Sequence, residues 1–164
     1  NYFIFFSEGI DIMSDGVLWP LFIYLMFRDY FVLGYAGSLL SLSLLIPVYI
    51  ASKYSDSNKR QKLLFIGSLL YSLSWLLRPF ISTIRSVYLI SVFSGISSAL
   101  VYVPYHSIFY NKVTKNNTTE YIVIREMFMS IGRIFVLTLF YLTGSFIILF
   151  ILSAIASFFR GFYK

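Results

Sequence analysis

The first apolar stretch of this sequence contains three acidic residues, Glu8, Asp11 and Asp15. Spacings of three and four residues place all three carboxylates on one face of a helix. A charged side chain near the centre of a bilayer costs at least about 2.5 kcal/mol, so these groups must face a protein interior, a water-filled cavity or the cytoplasmic mouth. The cluster therefore suits a cation or proton site.

A structural interpretation of the same cluster is also open. In it, Glu8 and Asp11 lie at the membrane interface, and only Asp15 is buried and paired with an arginine. Asp15 is close to the middle of the stretch, whereas Glu8 is closer to its beginning. Among the three acids, Asp15 is the residue that we expect to be functional.

A later apolar stretch carries Arg125, Glu126 and Arg133. Glu126 and Arg133 are seven residues apart and share a helix face. Arg133 lies well inside the stretch and needs a partner, for which the carboxylates of the first stretch are natural candidates. A buried arginine can bind a substrate anion or neutralise a structural carboxylate, and the structural role is the commoner one.

His106 follows Pro104 in a further apolar stretch, next to Tyr102 and Tyr105. A histidine can relay protons because its unperturbed pKa is near physiological pH. A lone histidine near a helix end is more often a hydrogen-bonding interface residue, and we favour that interpretation. The two tyrosines can line a cavity, although aromatic residues make up 21% of this chain and many of them must serve packing.

These residues lie in six apolar stretches joined by short connectors, in a chain that is 59% hydrophobic with a mean hydropathy of +0.80. A bilayer crossing takes about 20 apolar residues, and only helices or closed barrels satisfy the backbone in lipid. The stretches are too long for barrel strands. We therefore predict a single six-helix transmembrane domain over residues 1–164, with helices at about Tyr2–Phe27, Phe31–Tyr54, Lys62–Ile81, Ser86–Tyr110, Tyr121–Leu142 and Ser145–Phe159.

The basic residues predict the orientation of these helices. One side would carry Lys53, Lys59, Arg60, Lys62, Lys112, Lys115, Arg125, Arg160 and Lys164, and the other side only Arg28, Arg78 and Arg85. The positive-inside rule places the first set, and with it both ends of the chain, in the cytoplasm. Arg78 and Arg85 are expected to reach the headgroups from the outer helix ends. We expect an integral, multi-pass protein of the plasma (inner) membrane, with the lipid bilayer as its solvent.

Several functional classes find no support in the sequence. The net charge of +6 is explained by the connectors and does not require a nucleic-acid partner. The chain has no cysteine, and it contains no nucleophile elbow, phosphate loop, zinc-ligand pair or dinucleotide fingerprint. We therefore expect no catalytic residues, no metal and no cofactor, and a protein that is not an enzyme.

The connector after the second stretch resembles the loop motif of the major facilitator superfamily, G-x-L-x-D-R-x-G-R-R. Asp56 matches the acid of that motif, and Lys59 with Arg60 match its closing basic pair if one residue is missing. Asn58 stands where the family has glycine, and Ser52 and Ser57 depart from the pattern. Pro20 and Gly34, and the stretch 121–133, are similar to the start and the fifth helix of a facilitator half.

The resemblance implies one six-helix half of a secondary active transporter, in which the first and fourth helices face a central cavity. A 3+3 inverted repeat is compatible with six crossings. Its candidate cavity and coupling residues are then Glu8, Asp11, Asp15, Tyr102, Tyr105, His106 and Arg133. The chain lacks the glycine-rich fifth helix of antiporters and the fourth-helix arginine of many first halves, which favours the C-terminal half. The implied function is transport of a small solute by alternating access, with the other six-helix half and a small-molecule or ion substrate as partners.

Two other functions remain open at this point. The chain can be a small multi-pass accessory or assembly protein without transport of its own. It can also be an intramembrane enzyme in which Glu8, Asp11 and Asp15 form an acid or metal site.

Overall fold

The computed structural model describes residues 2–55, 60–113 and 118–163, which are all-helical and contain no β-strand. A π-helical segment, Ser14–Leu18, joins the first two helices, and a 3-10 turn, Arg78–Phe80, follows the fourth. The α-helices in chain order are α1 (Tyr2–Met13), α2 (Trp19–Phe27), α3 (Tyr30–Ser55), α4 (Arg60–Leu77), α5 (Ile84–Val113), α6 (Thr118–Thr143) and α7 (Phe146–Arg160).

Four helical segments are long and apolar enough to cross a membrane. They are Tyr2–Phe27, which runs from α1 through the π-helical segment to α2, then Tyr30–Lys53, Arg60–Phe80 and Ile84–Val113. These segments coincide with the first four predicted stretches. The fifth and sixth stretches are also helical, as α6 and the shorter apolar helix α7, and their crossing of a membrane stays a prediction.

The helices form one bundle with a simple pattern of neighbours. α1 packs against α6 and α7, α4 packs against α5 and α7, and α3 packs almost entirely against α5. The core is rich in aromatic side chains, among them Phe5, Trp75 and Phe150. Because α3 contacts mainly one neighbour, most of its apolar residues lie on the outside of the bundle.

Glycines allow close backbone contact at several helix crossings. A Cβ atom added at Gly9 of α1 would overlap the backbone of Met129 on α6, and one added at Gly132 would overlap the carbonyl oxygen of Phe6. At the α3–α5 crossing, a Cβ atom on Gly95 would overlap Ser43. Small residues permit such close helix contact in membranes, where packing rather than the hydrophobic effect drives association.

The first span changes its helix type at its centre. Pro20, the second residue of α2, has no N–H to donate to the carbonyl of Gly16 four residues earlier. The π-helical segment Ser14–Leu18 lies immediately before this proline and contains Asp15. Isolated π turns inside α-helices often occur at functional sites.

Tight turns join neighbouring helices where the connectors are described. Arg28 ends α2 with a positive φ of 50°, and Gly144 joins α6 to α7 with a φ of 60°. Glycine adopts this left-handed conformation without the steric cost that a Cβ atom brings. The short turns hold consecutive helices antiparallel.

Candidate functional site

The three carboxylates of the first span each form an ion pair with an arginine from a different part of the bundle. The partners come from α6, from the end of α7 and from the turn after α4. The pairs are Glu8 with Arg125, Asp11 with Arg160 and Asp15 with Arg78. The first span therefore binds three neighbouring elements through its row of carboxylates. A carboxylate buried in a membrane protein needs an opposite charge beside it.

Glu8 is held by a two-pronged contact. Arg125 Nη2 binds Glu8 Oε1, and Arg125 Nε donates to Glu8 Oε2 at 3.0 Å. The Tyr105 hydroxyl of α5 donates to the same Oε2 at 2.7 Å. Bidentate arginine–carboxylate pairs are among the strongest and most directional hydrogen-bonded contacts, so this cluster fixes α1, α5 and α6 together.

Asp11 and Arg160 form the most enclosed pair, with both side chains fully buried. Arg160 Nη2 lies 2.6 Å from Asp11 Oδ2. The Ser157 hydroxyl, one turn earlier on α7, lies 2.8 Å from Oδ1 and 2.9 Å from Oδ2 and donates to the carboxylate. The rings of Tyr102 and Tyr105 flank the guanidinium at 5.3 and 5.6 Å.

Asp15 pairs with Arg78, which is clamped between aromatic rings. Arg78 Nη2 donates to Asp15 Oδ1 at 2.7 Å and to the Ser94 hydroxyl of α5 at 2.9 Å. Its guanidinium carbon lies 3.4 Å from the centre of the Trp75 ring and 4.4 Å from that of Trp19. Cation–π contacts of this kind strengthen when the cation is removed from water.

Among the three acids, Asp15 alone opens to a cavity. Its side chain is 23% exposed, whereas the side chains of Glu8 and Asp11 are enclosed. The cavity measures about 230 Å³, lies between the first span and α3, and is lined by Asp15, Trp19, Pro20, Ile23, Leu33, Ala36, Gly37, Leu40 and Ser41. A solute or a water molecule in this space meets the Asp15 carboxylate and the Ser41 side chain in an otherwise largely apolar wall.

A second charged feature lies on the outer face of α6. Glu126 is 51% exposed and Arg133 is 36% exposed, and Arg133 Nη2 lies 4.0 Å from Glu126 Oε2. Arg125 Nη1 lies 3.7 Å from Glu126 Oε1. The charges Glu8, Arg125, Glu126 and Arg133 therefore form one row from the bundle interior to its surface. A groove on this face includes Glu126 and Ser130 among apolar residues.

The structure differs from the sequence interpretation in the choice of partners. Arg133 contacts Glu126 on its own helix and none of the carboxylates of the first span. Arg78, expected to reach the headgroups, is buried and binds Asp15. The structural interpretation was right that Asp15 pairs with an arginine. It was wrong about burial, because Glu8 and Asp11 are enclosed and Asp15 is the most exposed of the three acids.

The aromatic candidates on α5 lie beside the ion pairs. Tyr105 contacts Glu8 directly, and Tyr102 lies against Arg160. The His106 ring stacks near Tyr102, with ring centres 6.2 Å apart, and its Nδ1 atom is buried without a hydrogen-bond partner in the described part of the chain. The three residues thus follow the inner face of α5 in its second half.

Sequence reasoning missed Arg78 and Arg160 as members of the site. Both lie at the ends of apolar stretches, where a basic residue is typical of a connector. The available signal was the charge balance, since three acids inside one membrane helix require three cations within reach. Of the loop motif, Arg60 begins α4, whereas Asp56 and Lys59 lie outside the described residues.

The described residues contain no group of three or more histidine or acidic side chains placed to hold a metal ion. Each acid of the first span instead faces a guanidinium, and that positive charge disfavours a divalent cation at the same carboxylate. The arrangement can do two things chemically. It can hold charge inside the bundle, and it can present one carboxylate, that of Asp15, to a cavity.

Comparison with known proteins adds one relative. No protein-family model and no solved structure matches the chain. The chain is similar to "Uncharacterized protein YqgE" of Bacillus subtilis (strain 168), with 28% identity over 139 residues. The match covers 82% of this chain and 31% of that protein, so the chain spans about a third of the relative's length.

Proposed function

We propose that this chain is one six-helix half of a secondary active transporter, similar to the major facilitator superfamily, which moves a small solute across a membrane by alternating access. The observation that carries the proposal is the Asp15 carboxylate, which lies in a π-helical segment at mid-span and opens to a cavity. Ionisable groups at membrane depth are rare and commonly mark substrate or ion pathways.

The helix packing supports a 3+3 arrangement. Exchange of α1 with α5, of α3 with α6 and of α4 with α7 leaves the main helix contacts unchanged. Under this exchange the α1–α6 contact becomes α5–α3, the α1–α7 contact becomes α5–α4, and α4–α7 is kept. The glycine crossings follow the same rule, since Gly9 faces α6 as Gly95 faces α3. Inverted repeats of this kind are common in transporters.

The exposed charges of α6 support a second half. Glu126 and Arg133 are partly exposed on α6, and in the predicted crossing of this helix they would contact lipid at a high cost. A facing half with a water-filled cavity between the two would remove that cost. The length of the relative from Bacillus subtilis leaves room for such a half.

Alternating access is testable by single cysteines, because this chain contains none. Ser41 lines the cavity at Asp15, and Ser130 lines the groove on α6. In the full-length protein, with any cysteine outside this chain replaced by serine and the protein inserted in liposomes in one orientation, each position is labelled with a membrane-impermeant maleimide from either side.

A transporter predicts that both Ser41→Cys and Ser130→Cys react from each side. It also predicts that Asp15→Asn shifts the ratio of the two rates. Thr118→Cys and Ser82→Cys serve as controls that react from one side only. If Ser41→Cys and Ser130→Cys also react from a single side and Asp15→Asn changes nothing, the chain is a static accessory protein and the proposal is wrong.

A further inference from the structure

One face of α4 carries a row of buried polar atoms that have no hydrogen-bond partner among the described residues. Ser68 Oγ, Tyr71 Oη and Trp75 Nε1 lie on this face, and in the described part of the chain none of these atoms has a hydrogen-bond partner. The row continues into Arg78, whose Nε and Nη1 atoms are also unpartnered. Residues 68, 71, 75 and 78 follow the three- and four-residue spacing of one helix stripe, and all four side chains are fully buried or nearly so.

The row connects two of the ion pairs. At its outer end, Arg78 binds Asp15. The Tyr71 ring contacts the Tyr102 ring at 6.3 Å, and the Tyr102 ring lies 5.3 Å from the guanidinium of Arg160, the partner of Asp11. Arg160 Nε and Nη1 are themselves buried and find no hydrogen-bond partner among the described residues.

Ser68, at the other end of the row, lies beside the end of α7. A Cβ atom added to Gly161, the residue after Arg160, would lie 3.3 Å from the Ser68 hydroxyl. Ten residues of α-helix separate Ser68 from Arg78, a distance of about 15 Å at 1.5 Å per residue. The row therefore extends over about half of a hydrocarbon core that is roughly 30 Å thick.

Unpartnered polar atoms at this depth are rare because their loss of hydrogen bonds is costly in a low-dielectric interior. The guanidinium and indole groups only donate, and the two hydroxyls both donate and accept. The bound species must therefore accept hydrogen bonds. The two arginines are balanced by Asp11 and Asp15, so the site has no net positive charge that would favour an anion over water.

We propose that this seam, formed by Ser68, Tyr71, Trp75, Arg78 and Arg160, binds a file of ordered water molecules that joins the Asp11–Arg160 pair to the Asp15–Arg78 pair. Buried water commonly satisfies polar groups that protein atoms leave unpaired. The seam stands without the proposed transport function. If the chain is also part of a transporter, water at the Arg78 and Arg160 guanidinium groups would lower the free-energy cost of separating either ion pair during alternating access.

The test is hydroxyl-radical labelling by X-ray radiolysis in lipid nanodiscs, since ordered water produces radicals beside the side chains that it touches. Tyr71 and Trp75 are expected to be modified several-fold faster than Tyr163, after correction for intrinsic reactivity. Tyr163 is equally buried, but its hydroxyl is paired with Tyr121 at 3.1 Å. Tyr141, which is largely exposed, reports that labelling works.

Tyr71→Phe removes one anchor of the water file and is expected to reduce labelling of Trp75 several-fold while the protein stays folded. If Tyr71→Phe does not fold, the labelling of the unchanged protein still decides. Rates at Tyr71 and Trp75 no higher than at Tyr163 would overturn the proposal. Thermal stability is expected to be the same in chloride and in gluconate, and a dependence on chloride would overturn water in favour of a bound anion.

Discussion

Asp15 and Arg78 are joined at 2.7 Å across the bundle, from the π-helical centre of the first span to the turn that follows α4. The two partners differ in access, because Arg78 is fully enclosed between Trp19 and Trp75 while Asp15 is open on its cavity side. A ligand or a proton can therefore reach this pair through its carboxylate. The Asp11–Arg160 pair is fully enclosed and does not border this cavity.

Loss of the Asp15 charge is expected to leave Arg78 buried and uncompensated. Removal of one partner of a buried pair typically costs about 3–5 kcal/mol, and the partial exposure of Asp15 places Asp15→Asn at or below the lower end of that range. Removal of both charges, in Asp15→Asn with Arg78→Gln, should recover much of the loss. Folded yield and thermal unfolding in detergent measure both effects.

The control for the double variant Asp15→Asn with Arg78→Gln is the double variant Asp15→Asn with Arg133→Gln. Arg133 contacts Glu126 rather than the first span, so this second change should restore nothing. Recovery by Arg133→Gln rather than by Arg78→Gln would mean that Arg133, and not Arg78, is the partner of Asp15.

Arg125 has two acidic neighbours, Glu8 and Glu126. Substitution by glutamine is expected to destabilise the protein at Glu8 and to have little effect at Glu126. Glu8 is enclosed and binds Arg125 with two hydrogen bonds, whereas Glu126 is half-exposed and lies 3.7 Å away. Glu8→Gln should lower the free energy of unfolding by about 3 kcal/mol or more, because it leaves Arg125 without its main partner. Glu126→Gln should stay within about 0.5 kcal/mol, as is usual for exposed positions.

Thermal unfolding of the two glutamine variants and of the unchanged chain gives this comparison directly. Equal losses of unfolding free energy for Glu8→Gln and Glu126→Gln would show that the two acids interact with Arg125 equally strongly. A larger loss for Glu126→Gln would contradict the burial of Glu8.

The positions of the helices could be predicted from the sequence because the signal is local. An apolar run long enough to cross a bilayer is visible without any knowledge of its neighbours, and charged connectors mark its ends. The shared face of Glu8, Asp11 and Asp15 was equally predictable from their spacing. The change to a π-helical turn before Pro20 was not, since proline alone does not specify which helix type precedes it.

The partners of the acids could not be predicted because they depend on helix packing. Arg133 is the deepest arginine in its stretch, which made it the obvious candidate, yet its side chain is on the outer face of α6. Arg160 is at the very end of α7, where a snorkelling side chain is the usual outcome. Packing of α7 against α1 turns Arg160 inward instead, and no local pattern reports that contact.

The glycine at the α1–α6 crossing is expected to tolerate no side chain. A Cβ atom at Gly9 would overlap the backbone of Met129, which cannot yield as a flexible side chain can. Gly9→Ala should therefore cost about 1–3 kcal/mol, the range for overpacked cores, and should loosen the contact between Glu8 and Arg125. Chemical unfolding in mild detergent measures the loss.

Gly34→Ala on α3 is the matched control for this change. Nothing lies within 4 Å of a Cβ atom added there, so alanine should be neutral or should stabilise by up to about 1 kcal/mol through its better helix propensity. Similar destabilisation by both substitutions would indicate a general sensitivity to helix changes and would contradict a specific close crossing at Gly9.

The orientation of the bundle is expected to follow its basic residues, and two exposed connector positions can report it. Thr118 begins α6, beside the basic connector that the positive-inside rule assigns to the cytoplasm. Ser82 lies in the short turn before α5, on the side that is poor in lysine and arginine. Because the chain has no cysteine of its own, Thr118→Cys and Ser82→Cys provide single reactive sites without further changes.

In intact cells, an impermeant maleimide should label Ser82→Cys and should reach Thr118→Cys only after the membrane is opened. Labelling of Thr118→Cys in intact cells would invert the orientation and remove the charge-based support for a half with both ends in the cytoplasm.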